Sequence, residues 1–312
     1  MRFSDSGPAP FFRGMFAALA AAAALAVPAA QGAVPAVLGD LAPYFEPEKP
    51  YRAEDGADRL AVALGLFPPL QLGGDGTDVS LLRLGLVSRH HNVSGADLSL
   101  FHGRTRGSFS GVQFSGLNVV DGPARGVQLG VLANVAGTIP ESESAGVQLA
   151  LFANWADAFD GVQFAFGFNR DARGGFVQIA AVCNSSEDFS GVQAAAVNLR
   201  GKSFRGVQFG ALNGGADSFS GLQLGLFANS AVPLGTVEHH ARMHGWQVAP
   251  LVNAADEIDG GQVSLVNLAA DVRGVQIGLY NQARRLRGVQ IGLLNHCDAS
   301  DVPFLPLCRA AF

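Results

Sequence analysis

Twelve copies of one short phrase run through this chain between Gly111 and Asn295: Gly-Val-Gln, an apolar residue, a small residue, two apolar residues, then Asn. The clearest are Gly206-Val207-Gln208-Phe209-Gly210-Ala211-Leu212-Asn213 and Gly288-Val289-Gln290-Ile291-Gly292-Leu293-Leu294-Asn295. The glutamines fall at 113, 128, 148, 163, 178, 193, 208, 223, 247, 262, 276 and 290, so nine of the eleven steps are 14 or 15 residues, and the steps of 20 and 24 carry insertions. A second marker recurs two residues before the Gly, as Phe109, Phe159, Phe189, Phe204, Phe219, Ile258, Val272 and Leu286. A fixed period of this kind predicts a stacked or radial array. Each unit is too short to bury a face of its own, so the copies have to stack on one another.

The unit reads as strand. Val-Gln-Phe-Gly alternates apolar with polar or small residues, the strand period, and Val, Ile and Phe suit a pleated surface. A helix would carry Gly at the first and often the fifth position of every copy, at roughly 1 kcal/mol each against Ala. Six or seven residues rich in Asp, Ser, Arg and Gly separate each Asn from the next Gly, which is turn chemistry. The expected fold is therefore all-β.

Two architectures satisfy the pattern. In a β-solenoid each 14–15-residue copy is one coil, and equivalent residues stack in parallel register about 4.8 Å apart. In an outer-membrane barrel each copy is one strand of an antiparallel meander. Translation along a solenoid gives every copy the same environment and so explains why the copies share a sequence. A barrel alternates strand direction, and its aromatic girdles call for more than two Trp and three Tyr. The expectation is a solenoid of about twelve coils with N- and C-terminal caps, with the barrel as the alternative.

A solenoid gives each repeated residue a task. Stacked amides can form ladders, one through Gln113, Gln128, Gln148, Gln163, Gln178, Gln193, Gln208 and Gln223, another through Asn118, Asn134, Asn154, Asn169, Asn184, Asn198, Asn213 and Asn229. The other reading of Gln is a solvated outward residue. Gly supplies backbone freedom or lets one coil pass close to the next. Val at position two, the apolar residue at position four and the Phe or Leu before the Gly are expected to fill the interior.

Residues 1–32 read as a secretory signal peptide: Arg2 and Arg13 precede a mostly Ala run from Met15 to Val27, and small residues follow at Ala29, Ala30, Gly32 and Ala33. Residues 33–78 are expected to form a leader and N-terminal cap, 79–295 the repeat array, and 296–312 the C-terminal cap. Val79 to Val87 and Gly95 to Phe101 look like degenerate coils, as terminal units should. Pro303 and Pro306 are expected to stop further strand addition at the C-terminal end. A net charge of −5 is no footprint for nucleic acid.

Chemistry is sparse. Glu238, His239, His240 and His244 form the one cluster resembling a metal site, with His240 and His244 at the spacing that shares a helix face. The plainer reading is a solvated loop. Cys297 and Cys308 are close in sequence and can pair across the C-terminal cap, with free thiols as the other reading, and Cys183 stands where other copies have Ala. No nucleophile elbow, phosphate loop or dinucleotide fingerprint occurs, so no catalytic residue and no cofactor is expected.

The Gly-Val-Gln-x-Gly-Leu-x-Asn array, the early Leu66-Phe67-Pro68-Pro69-Leu70 and the ending Phe304-Leu305-Pro306-Leu307 together resemble the bacterial surface-repeat proteins known from Leptospira and Bacteroidetes, over residues 64–312. The resemblance implies an exported protein of the cell envelope, surface or outer membrane, and supplies no catalytic residue. The chain departs from the pattern at Phe176, Trp246 and Pro250, so coils 175–184 and 245–253 are expected to be irregular. The functional expectation is a non-enzymatic scaffold or interaction surface with a protein or envelope-glycan partner, or in association with a membrane. The alternatives are an outer-membrane pore, favoured by terminal Phe312, and a metal-binding or polysaccharide-active module.

Overall fold

The computed structural model of the chain describes residues 58–312 apart from 68–69, 140, 216 and 232–240, so the expected signal peptide and most of the leader lie outside the described residues. The described residues fall into two compact units, 58–196 and 197–312. The first contains β1 (Arg59–Gly65), β2 (Asp78–His90), β3 (Val93–Thr105), β4 (Phe109–Val120), β5 (Ala124–Ala136), β6 (Glu143–Ala150), β7 (Ala153–Ala165), β8 (Phe168–Ala180) and the start of β9 (Cys183–Asn213). The second contains the end of β9, then β10 (Ser218–Ser230), β11 (Arg242–Val248), β12 (Val252–Val263), β13 (Val266–Ile277), β14 (Tyr280–Cys297) and β15 (Phe304–Ala311).

Every pairing from β1 to β14 is parallel, and like stacks on like. Gly111, Gln113 and Asn118 lie against Gly126, Gln128 and Asn134, and Asn267 and Gln276 lie against Asn281 and Gln290. This is a parallel β-solenoid, and the parallel register overturns the antiparallel barrel. The register survives both long steps. After residues 137–142 the register resumes with Gln148 on Gln128 and Asn154 on Asn134. After the second insertion Gln247 lies on Gln223 and Asn253 on Asn229. The irregular coils expected around Phe176 and Trp246 keep unbroken register. The departure at 176 appears instead in the backbone, as a φ of 90°. At 246, the facing residue of the next coil is Gly261, which leaves room for the indole.

The C-terminal segment corrects two expectations. Residues 304–311 do add a strand, β15, antiparallel to β14. Pro306 is tolerated because it falls at the register shift between Gly292 and Asn295, where no ladder hydrogen bond is required of it. The Cys297–Cys308 disulfide is absent: both thiols are free, Cys297 buried and Cys308 exposed. Cys308 pairs with Ile291, six positions along β14 from Cys297, which is roughly 15–20 Å of strand and far beyond the reach of a disulfide.

The interior also differs from expectation. The marker before the Gly is buried throughout, with Phe109, Phe159 and Phe189 in the first unit and Phe204, Phe219, Ile258, Val272 and Leu286 in the second. The rings of Phe204 and Phe219 stack with centroids 5.1 Å apart. Val at position two and the apolar residue at position four, however, point outward: Val112, Phe114, Phe209, Ile277 and Ile291 are all exposed. Strand geometry requires this, because the Phe and the Val are three residues apart in one continuous strand and so lie on opposite faces, whereas the Phe and the Gln are four apart and share one.

Candidate interaction surface and the amide columns behind it

The repeated Gly sets the geometry. At Gly111, Gly126, Gly221 and Gly274, φ lies between 124° and 137°, and a Cβ there would run into the carbonyl oxygen of the equivalent glycine one coil earlier, for instance Gly95 O for Gly111. Only a residue without a side chain allows adjacent coils to approach so closely in this conformation. Past the Gly, alternation sends Val out and Gln in.

The buried glutamines form a directed column. Nε2 of Gln128 donates to Oε1 of Gln113 at 3.0 Å, Gln148 to Gln128 at 2.8 Å, Gln163 to Gln148 at 2.8 Å and Gln178 to Gln163 at 2.7 Å. In the second unit Gln247 donates to Gln223, Gln262 to Gln247, Gln276 to Gln262 and Gln290 to Gln276. Every donor points toward the earlier coil. The asparagines run the other way: Asn118 donates to Asn134, Asn134 to Asn154 and Asn154 to Asn169. In the second unit Asn213 donates to Asn229, Asn253 to Asn267 and Asn267 to Asn281. The Asn Nδ2 groups also bond backbone carbonyls, as Asn154 does with Phe164 O at 2.8 Å. Burying amides is costly unless they are paired, and here they are paired coil by coil. The solvated outward reading of Gln is excluded, since Gln113, Gln148, Gln208 and Gln262 have no exposed surface.

The glutamine column of the first unit ends on charge. At its donor end Gln113 Nε2 reaches Asp97 Oδ2 at 2.7 Å. Asp97 in turn is held by Arg83, whose Nε lies 2.8 Å from Oδ1, and both are fully buried. At the end of the second unit's column, Gln290 Oε1 has no hydrogen-bond partner among the described residues, and buried Arg309, opposite Gln290 in the β14–β15 pair, donates instead to Val302 O and Pro303 O. Sequence reasoning missed Asp97 and Arg83, although they occupy the Gln register of β3 and β2.

With the amides inside, the outer face between Gln and Asn is apolar. The outward positions of successive copies carry Val131, Leu151, Phe152 and Phe166 in the first unit and Leu226, Phe227, Leu265, Leu279 and Leu293 in the second, all exposed. From position two to the residue before Asn, no copy contains a charged residue. Charge is confined to the rest of each coil. There Arg242, Glu257, Asp271 and Arg285 form one row, and His244, Asp259, Arg273 and Arg287 another. The two rows flank a shallow groove floored by Met243, Ile258 and Val272. Arg242 Nε lies 3.3 Å from Glu257 Oε2, and Arg285 pairs with Asp271.

Of the candidate metal cluster only His244 falls among the described residues. His244 is an exposed strand residue of β11 with Nδ1 3.8 Å from Asp259 Oδ2, and His240 lies outside the described residues. Cys183 is buried in the small-residue column, where burial pushes its thiol up to about 11. No family model matches the chain, and no curated protein or solved structure matches it either.

Proposed function

We propose that the chain is an exported, non-enzymatic scaffold of the bacterial cell envelope whose apolar outer face is its working surface. The observation that supports this is the inverted partition of the coil: amides buried in hydrogen-bonded columns, and Val, Leu, Ile and Phe left outside with no charge among them. Contiguous apolar surface beyond a few hundred Å² marks a site of contact with another body. The second unit carries six consecutive copies, so its face measures roughly 29 Å by 16 Å from the strand spacing and rise. The basic, apolar and small-residue pattern of residues 1–32 supports export, as does the resemblance to envelope repeat proteins.

Expression in a bacterial host, with and without residues 1–32, tests this reading. The full chain is expected in the envelope fraction with its N-terminus cut near Ala29 to Ala33, and the shortened chain in the cytosol. Retention of the uncut full chain in the cytosol would overturn it.

A further inference from the structure

We infer that the apolar face of the 197–312 unit seats on the surface of an anionic phospholipid layer, with its side chains in the hydrocarbon boundary and its edge arginines among the headgroups. The inference rests on the reading of that face as the working surface and goes further, by naming what covers it.

Three observations favour lipid over protein. First, protein interfaces interleave apolar area with about one hydrogen bond per 100–200 Å², and this face has almost nothing to bond with. From position two to the residue before Asn, its outward side chains are aliphatic or aromatic, with Tyr280 the one hydroxyl, and that hydroxyl lies 3.4 Å from Gln282 Oε1. Secondly, apolar-out and polar-in alternation is the pattern strands adopt where their outer side meets hydrocarbon. Thirdly, the border of the apolar strip is mainly basic. The residue just before the repeat Gly, at the edge of the apolar strip, is Arg205, Arg273 and Arg287 in three coils and Asp259 in one. All three arginines are exposed. The remaining acids, among them Asp217, Asp256, Glu257 and Asp271, stand further back along the coil, where Arg242 and Arg285 pair with Glu257 and Asp271. Long basic side chains at the border of an apolar strip extend their charge to the headgroup layer, and a basic border beside an apolar face is how a surface-lying element holds an anionic membrane. Trp246, exposed on the same face, is the residue type that favours this depth.

Trp246 also makes the test local, because the chain has two tryptophans and the other, Trp155, packs under Arg170 in the other unit. The full chain carrying Trp155→Phe is mixed with vesicles of phosphatidylcholine and phosphatidylglycerol, with one set brominated in the acyl chains. The expected result is flotation with the vesicles, a blue shift of Trp246 emission and quenching by the brominated lipid. Replacing Phe227, Leu279 and Leu293 by Glu, all outward and so leaving the amide columns intact, is expected to reduce the Trp246 response at least about tenfold with an unchanged circular dichroism spectrum. Replacing Arg205, Arg273 and Arg287 by Gln is expected to abolish the preference for phosphatidylglycerol over phosphatidylcholine. An unshifted, unquenched Trp246 would overturn the inference, whether sedimentation then shows a monomer or a dimer paired face to face. Envelope localisation would be untouched by that failure, which separates it from failure of the broader reading.

Discussion

A single carboxyl shows how narrow the tolerance of the coil interior is. Asp171 lies inside β8, in the coil where the usual buried Phe is replaced by Gly174, and its Oδ2 occupies the space next to the Gly174 Cα that a side chain would take. Gln178 Nε2 donates to that oxygen at 2.8 Å, and Ser186, one coil on, joins the same network through Gln178 and Gln193. Burial pushes the Asp171 carboxyl up to about 8, from 3.8, with nearby Asp160 adding to the shift and hydrogen bonding to Ser186 opposing it. A folded-state value above the unfolded one means the folded state holds a proton that the unfolded state has released. The contribution is complete below about pH 4 and lost as the pH rises toward about 8. The wild-type free energy of unfolding in urea is therefore expected to fall across that window, by an amount on the order of a few kcal/mol. Asp171→Asn, neutral at every pH, should show a flatter profile and exceed wild type at the alkaline end. Parallel profiles for the two proteins would show that Asp171 ionises freely.

At the scale of the element, the two amide columns are the internal support of the strands, and their opposite polarity has an electrostatic consequence. Glutamine donors point toward the N-terminal coils and asparagine donors toward the C-terminal coils, so the aligned side-chain dipoles of the two columns oppose each other. The glutamine column of the first unit meets a carboxylate, Asp97, at its donor end, the sign that a donor end attracts. Interrupting a column strands both neighbours. Gln262→Leu is expected to leave Gln247 Oε1 without the bond it now accepts at 2.8 Å and Gln276 Nε2 without the one it donates at 2.7 Å. At about 1–3 kcal/mol for each unsatisfied buried group, the loss should total roughly 2–6 kcal/mol by urea unfolding. Replacing exposed Ile277 by Thr in the neighbouring coil should change stability by no more than about 0.5 kcal/mol. Much of this was legible in the repeat: the strand, the stacking and the candidate ladders follow from Gln and Asn recurring at one period. The assignment of faces was legible too, had the Phe-to-Val spacing of three been set against the strand period before hydrophobicity was allowed to decide what goes inside. The charged end of the column was harder to see, because Arg83 and Asp97 sit in coils whose sequence no longer carries the repeat.

For the molecule as a whole, stability built from identical neighbour contacts makes the number of coils adjustable, as in other one-dimensional arrays. Removing Gly274 to Arg287 takes out one full coil of the second unit and joins Arg273 to Gly288, recreating the Arg-Gly-Val-Gln junction already present at Arg273-Gly274-Val275-Gln276. Gln290 would then donate to Gln262 as Gln276 does now, and Asn267 would reach Asn295 instead of Asn281. The wide space that Gly261 provides for Trp246 is untouched, and the ion pair of exposed Arg285 with Asp271 is given up. The shortened chain is expected to keep its β-type circular dichroism and a cooperative unfolding transition, with a midpoint modestly below wild type. Removing only Gly274 to Tyr280 is half a coil. It would set the outward Val289 and Ile291 out of step with the columns beneath and place apolar side chains against the buried amides, since register governs which face each residue takes. That chain is expected to lose cooperative unfolding of its C-terminal coils. Equal tolerance of the two deletions would mean that the columns do not fix the register, and the ladder account of the fold would fail with them.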